Sequence, residues 1–194
     1  MIKNKVVLIT GAGKGIGRRL AEALAERGAV VAANDISPIN VEEVVAGITA
    51  RGGKAKAYIE DIAKKVGAQT VVKHVEDDFG RIDILINHAA VAPRVSLLDM
   101  DEWDWHRTLD VNLTGAFLMI QSAGRMMRAQ GSGVILCLGA GAGKGSEKEA
   151  GAYFSSKAGL VELSRQADVE LSPHGIRVFA VETFERALEV LEAE

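Results

Sequence analysis

Short apolar runs alternate along the chain with longer segments in which apolar residues recur every three or four positions. Residues 6–9, Val-Val-Leu-Ile, form the first run and read as a buried strand. Ile16, Leu20 and Leu24 then recur four apart, the spacing of one helix face, and Gly28 supplies a stop. The same alternation predicts strands over 30–33, 54–59, 82–86, 134–138 and 176–181, with helices over about 41–51, 63–79 and 152–171. After the fourth strand a loop reaches about residue 100. A long helical region then runs to about 130 with Leu109, Leu113, Phe117 and Ile120 on one side. Residues 139–150 read as a loop of small and charged residues. The last dozen residues predict a short acidic helix with Phe184, Leu188 and Leu191 on one face.

Strict strand–helix alternation with apolar strands means a parallel sheet covered on both faces. The predicted class is α/β: a doubly wound, three-layer Rossmann-type sheet of six strands, in a single domain over residues 1–194. Such a sheet binds its ligand at the carboxyl ends of the strands. That is where the unusual residues fall: a glycine-rich segment after the first strand, Asp35 after the second, Asp61 after the third, Asn87 after the fourth and Gly139 after the fifth.

Composition changes this picture little. The chain has 194 residues, 48% apolar and 25% charged, with a net charge of −3. That is ordinary globular chemistry and points away from a nucleic-acid partner. One cysteine, Cys137, excludes a disulfide framework and fits a reducing cytoplasm. No run approaches the ~20 apolar residues of a membrane span. Lys3 and Lys5 precede an apolar run too short for a signal peptide. His74, His88, His106 and His174 show no ligand spacing, so no metal site is expected.

The candidate chemistry starts with Thr10-Gly11-Ala12-Gly13-Lys14-Gly15-Ile16-Gly17. Glycine permits positive φ and close backbone approach, and the following helix presents free N–H groups and a positive dipole end to an anion such as a pyrophosphate. Asp35 could accept hydrogen bonds from an adenosine ribose and repel a 2′-phosphate, which favours NAD over NADP. Lys14, a cation in the loop, argues weakly the other way. Tyr153 and Lys157 lie four apart near the start of a helix and share a face. A phenol titrates near ~10 and a base should titrate near ~7, so a neighbouring ammonium would have to favour the phenolate.

Together with Asp61-Ile62, Asn87-His88-Ala89-Ala90, Val111-Asn112-Leu113-Thr114-Gly115 and Tyr153-Phe154-Ser155-Ser156-Lys157, these segments occur in the order and spacing of the short-chain dehydrogenase/reductases. The chain closely resembles the classical branch over residues 5–181. The resemblance implies that Tyr153 is the general acid/base and that Lys157 lowers its pKa and holds the nicotinamide ribose. It implies that Asn112 holds a water of the proton relay. Gly11, Gly13, Lys14, Gly15, Ile16 and Gly17 would cradle the cofactor. Asp61 and Ile62 would meet the adenine, and Asn87 and Ala89 the cofactor's central part. Asn112 could instead mark a helix kink, and Asp61 a helix N-cap. The Asn-His-Ala-Ala segment departs mildly from the usual Asn-Asn-Ala-Gly.

Two departures are larger. The family places a catalytic serine where this chain has Ala140, and Ser146 lies in the same loop at another offset. The family also follows the sixth strand with a Pro-Gly turn, a substrate-covering segment and a seventh strand, where this chain has Glu182-Thr183-Phe184-Glu185-Arg186. The tail helix or another subunit is then expected to cover the sixth strand's edge. The expected function is NAD-dependent hydride transfer between an alcohol and a carbonyl, impaired by Ala140 and the altered C-terminal segment. The alternative is an inactive NAD-binding or structural relative. Two apolar stripes on the 152–171 helix, Phe154/Ala158/Val161 and Leu160/Leu163/Ala167/Leu171, predict a homo-oligomer, dimer or tetramer.

Overall fold

A computed structural model describes residues 2–139 and 147–194. Six strands, β1 (Val6–Thr10), β2 (Val30–Asp35), β3 (Lys54–Ile59), β4 (Ile84–Asn87), β5 (Gly133–Leu138) and β6 (Ile176–Val181), form one sheet in the order β3-β2-β1-β4-β5-β6. Every pairing is parallel. The helices are α1 (Gly15–Glu26), α2 (Pro38–Ala50), α3 (Lys65–Phe79), α4 (Glu102–Leu109), α5 (Gly115–Gln130), α6 (Gly151–Leu171) and α7 (Phe184–Ala193). The doubly wound α/β architecture predicted from the pattern is the one observed.

Alternate strand residues face two apolar layers. Val7, Ile9, Val31, Ile86 and Leu136 meet Leu20, Leu24, Val44 and Ile48 of α1 and α2. Leu8, Leu85, Ile135 and Cys137 meet Val71, Met119, Met127 and Leu160 of α3, α5 and α6. Every residue of β1 is buried, which is why it reads as an unbroken apolar run rather than an alternation.

Boundaries differ from the predicted ones where tertiary bonds intervene. β4 begins at Ile84 because the Ile82 N–H is taken by the Gln130 side chain (3.1 Å) before the ladder starts. α2 starts earlier, at Pro38, whose missing N–H costs nothing in a first turn. The long helical region is continuous but contains a π-helical turn, Asp110–Thr114, between α4 and α5.

The tail helix exists, but it does not cover the sheet edge. Ala187, Val190 and Leu191 of α7 join the face packed by α1, and Arg19 of α1 lies 4.2 Å over the Phe184 ring. The helix has an apolar face with Ala187, Val190 and Leu191 buried, and that face is satisfied only against the sheet. Among the described residues β6 has no strand on its outer side. One of its N–H groups, Val178, is instead held by the Asp168 carboxylate (2.8 Å).

Candidate functional site

The strand order reverses between β1 and β4, so the loops leaving these strands diverge and open a crevice at their carboxyl ends. The hydroxyl of Thr10, the last residue of β1, fixes both sides of that crevice. It accepts the backbone N–H groups of His88 (3.1 Å) and Ala89 (3.2 Å).

The glycine segment fills the first side. Gly11 is left-handed (φ +66°), and a Cβ there would lie 2.7 Å from the Ala89 Cα. A Cβ on Gly17 would collide with the Gly11 carbonyl and come within 2.5 Å of the His88 Nδ1. At Gly15 no heavy atom lies within 4 Å of the Cβ position, so the space before α1 is open. The first turn of α1 has no side-chain cap and no acidic residue. Its N–H groups therefore face that space unsatisfied, and Lys14 beside them is exposed. Ile16 turns the other way and packs on the core. This cradle fits a phosphate group, and with the adjoining groove it fits a dinucleotide.

The Asp35 carboxylate braces the loop from β2. One oxygen accepts the Gly13 N–H and the other the Ser37 N–H, each at 2.9 Å. An ionised carboxylate offers about four acceptor sites, so capacity remains for a ribose. Beyond it lies a groove of about 110 Å³ lined by Asp35, Ile36, Asp61, Ile62, Ala89 and Arg107, among others. Asp61 accepts the Ala63 N–H (3.1 Å) in a local turn and lies 3.8 Å from Arg107; it is not the N-cap of α3, a position held by Lys64. Ile62 is mostly buried and belongs to the core as well as to the groove wall. Asn87 stands apart. It is buried, its amide N–H reaches the Cys137 sulfur at 3.6 Å, its Oδ1 has no partner among the described residues, and it is not among the groove's lining residues.

The second side of the crevice is built by β5, α6 and the π-turn. Tyr153 and Lys157 share a face of α6 as their spacing requires, with the Lys157 Nζ 5.8 Å from the Tyr153 ring centroid. The ammonium itself donates to the Leu138 carbonyl at 2.7 Å. Burial pushes Lys157 down to about 8. Burial, with the Glu147 carboxylate, pushes the Tyr153 phenol up, against the opposing Arg94 cation. The expected lowering of Tyr153 by Lys157 is therefore not found in this structure. The ammonium is spent on a carbonyl and sits over the ring face, and desolvation is the largest influence on the phenol.

Asn112 lies in the π-turn beside α6. Its Oδ1 accepts the Val91 N–H (2.8 Å), and its Nδ2 donates to the Val91 carbonyl (2.9 Å) and the Ser156 hydroxyl (3.0 Å). That side chain holds the loop after β4 onto α6 and has no donor left for a relay water. Around Asn112 the Gly115 N–H bonds the Asp110 carbonyl, the π-helical pattern common at functional sites. A relay water would need a backbone carbonyl of this turn.

At the start of α6 lies a cavity of about 550 Å³ lined by Leu97, Glu147, Glu149, Gly151 and Phe154, among others, though not by Tyr153. The loop after β4 and the segment before α6 are joined by the Val95 N–H to Glu149 carbonyl bond (3.0 Å) and an Arg94–Glu147 ion pair (2.6 Å). Ala140 and Ser146, singled out from the sequence, lie outside the described residues. The roles of Thr10, His88, Ser156 and the Arg94–Glu147 pair were not read from the sequence. Only His88 carried a signal, as a departure from the usual motif. Among the described residues no cluster of potential metal ligands occurs and no helix is long and apolar enough to cross a membrane.

Comparison with known proteins gives this geometry a context. The family profile described as short chain dehydrogenase matches residues 5–184. An uncharacterized oxidoreductase of Thermotoga maritima is 42% identical over 179 residues, 92% of this chain and 70% of that protein. D-threitol dehydrogenase of Mycolicibacterium smegmatis is 36% identical over 91% of this chain and 68% of its own length. Among solved structures, an NAD+-bound xylitol dehydrogenase superposes with a TM-score of 0.90 at 32% identity, covering 98% of this chain and 76% of that one. A metagenomic short-chain oxidoreductase in complex with NADP gives 0.93 at 28% identity, covering 100% and 92%.

Proposed function

The chain belongs to the short chain dehydrogenases, an oxidoreductase family that binds NAD(P), and on that premise we propose that it moves a hydride between NAD and an alcohol or carbonyl carbon of a small molecule. The observation that carries this reading is the convergence of Tyr153 and Lys157 with the uncapped α1 cradle across one crevice. The dinucleotide, when bound, supplies the hydride acceptor or donor. The N–H groups of α1 and the glycine segment hold its phosphates, and the groove by Asp61 and Ile62 takes its adenine end. Tyr153 exchanges a proton with the substrate oxygen. Lys157 would hold a ribose hydroxyl of the dinucleotide, and its charge near the phenol would favour the phenolate.

NAD is proposed over NADP because the Asp35 carboxylate, fixed by two backbone N–H groups, would repel a 2′-phosphate. Calorimetric titration tests this: NADH is expected to bind at least ~10-fold more tightly than NADPH, since one unpaired charge contact is worth more than 1.4 kcal/mol. Equal or reversed affinities would mean that Lys14 dominates. The test of the activity is reduction of NAD with a panel of secondary alcohols.

A second reading, an inactive dinucleotide-binding relative, is favoured by the raised Tyr153 and by Ala140. Intact NADH binding with no turnover across the panel would select it. We also propose a homo-oligomer, dimer or tetramer, through the groove of about 380 Å³ between α5 and α6, where Phe117 is 43% exposed. A monomer by light scattering at micromolar concentration would contradict this. A buried, unpaired Cys137 fits a cytoplasmic setting.

A further inference from the structure

His88 is a titratable side chain of the crevice to which the proposed reaction gives no part. Its ring is wedged beneath the glycine segment. The Nδ1 lies 3.0 Å from the Gly11 carbonyl, and with the Ala89 and Gly11 backbones it is among the atoms that a Cβ on Gly11 (3.1 Å) or Gly17 (2.5 Å) would crowd. Two glycines of the segment are thus glycine partly because an imidazole occupies the space beside them. A carbonyl only accepts, so Nδ1 must carry a proton. In the neutral ring Nε2 is then the bare nitrogen, the atom that titrates.

We propose that His88 is a positioning residue for the glycine-rich loop: its Nδ1–H clamps the Gly11 carbonyl, and protonation of its Nε2 strengthens dinucleotide binding. The inference rests on the dinucleotide reading above. The clamp survives protonation, because imidazolium keeps its Nδ1–H. What changes is the charge under a loop built for phosphates. Burial holds the imidazole below its ordinary value. The backbone carbonyls of Gly11 and Thr10 favour the charged ring, Lys157 of α6 opposes it, and Asp35 of β2 favours it. A dianionic pyrophosphate above the loop adds a further favourable partner, so binding takes up a proton and tightens as pH falls. Asparagine at this position places an amide N–H where Nδ1 stands but cannot titrate. Leucine fills the space without a donor.

The experiment is NADH titration of the wild type, His88→Asn and His88→Leu between about pH 7 and pH 5.5, a range in which Lys157, titrating near about 8, is already charged. Long-range proton–nitrogen spectra of the histidine ring read the tautomer independently. The expected results are a proton on Nδ1, His88→Asn binding within about twofold of wild type at pH 7, and His88→Leu weaker by ~10-fold, the loss of one buried hydrogen bond. Wild-type affinity should rise relative to His88→Asn by up to ~10-fold toward pH 5.5, the equivalent of one pKa unit. An Nε2–H tautomer, wild-type affinity in His88→Leu, or parallel pH curves for wild type and His88→Asn would each overturn the proposal. A wild type that binds neither NADH nor NADPH would overturn the dinucleotide reading itself, and the coupling with it.

Discussion

At the carboxyl ends of β1 and β2 the groups that face the crevice are backbone atoms, set by glycine geometry and braced by Asp35 and Thr10. At the end of β5 and along α6 they are side chains with protons to lose. The first side needs no rearrangement: its N–H groups point into open space before Gly15, and the loop's own bonds are closed. The second side is at rest. Lys157 is bonded to Leu138, and Tyr153 is held protonated by burial and Glu147. On the function proposed above, binding is preformed and the proton chemistry needs a ligand that redirects one ammonium. The difference follows from what each side is made of. Backbone donors keep their charge distribution at any pH, whereas an amine and a phenol in a partly buried pocket change theirs with every neighbour.

This contrast can be sharpened by variants on each side. Tyr153→Phe should reduce any NADH formation by ~10²–10⁴-fold, the usual share of a positioned acid/base, while NADH affinity stays unchanged. Loss of binding in that variant would merge the two sides. Ala140→Ser should raise turnover by up to ~10²–10³, the contribution of one preorganised donor to the substrate oxygen. Steady-state rates with the alcohol panel decide it, and an unchanged rate would place the defect elsewhere in the second side. Gly17→Ala acts on the first side. Its methyl group collides with the Gly11 carbonyl, so it should cost ~1–3 kcal/mol of stability in a melting experiment and weaken NADH binding ~10-fold.

The last variant, Lys157→Met, is read in stability alone. Lysine titrates near 10.5 when unfolded and near about 8 here, so its folded value is lowered. Below about 8 both states are protonated and the fold bears the full cost of a buried ammonium. Between about 8 and 10.5 the folded state has shed the proton, and wild-type stability rises with pH. The methionine variant should therefore be more stable than wild type at neutral pH, by up to ~3 kcal/mol, with the gain shrinking above about pH 8. Denaturant melts at a series of pH values test this. A gain that grows with pH would mean that burial is not the dominant influence on Lys157.

The strand runs and the glycine segment were legible because their causes are local. A fully buried parallel strand must be apolar throughout, and a loop that passes close to Ala89 and His88 must shed its side chains. Tyr153 and Lys157 were legible as a pair because a four-residue spacing fixes one helix face. What the spacing could not show is the direction in which the Lys157 ammonium turns, since the Leu138 carbonyl comes from another element. Asn112 was singled out, but its bonds to Val91 and Ser156 were not legible for the same reason: those residues are remote in sequence and adjacent only through the fold. The tail helix was foreseen from its apolar face, yet the choice between sheet face and sheet edge depended on α1, whose Arg19 reaches Phe184 and Glu185.

The account stands or falls on whether hydride chemistry occurs at Tyr153 once a dinucleotide occupies the glycine side. The direct measurement is incubation with NAD and secondary alcohols carrying deuterium on the carbinol carbon, followed by mass analysis of the reduced cofactor. The expected result is NADH carrying one deuterium from at least one alcohol with the wild type, and none with Tyr153→Phe although it binds NAD equally well. Labelled NADH formed at equal rates by both proteins would contradict the assignment of Tyr153. Bound NAD with no label from any alcohol would contradict the oxidoreductase mechanism and leave a binding protein.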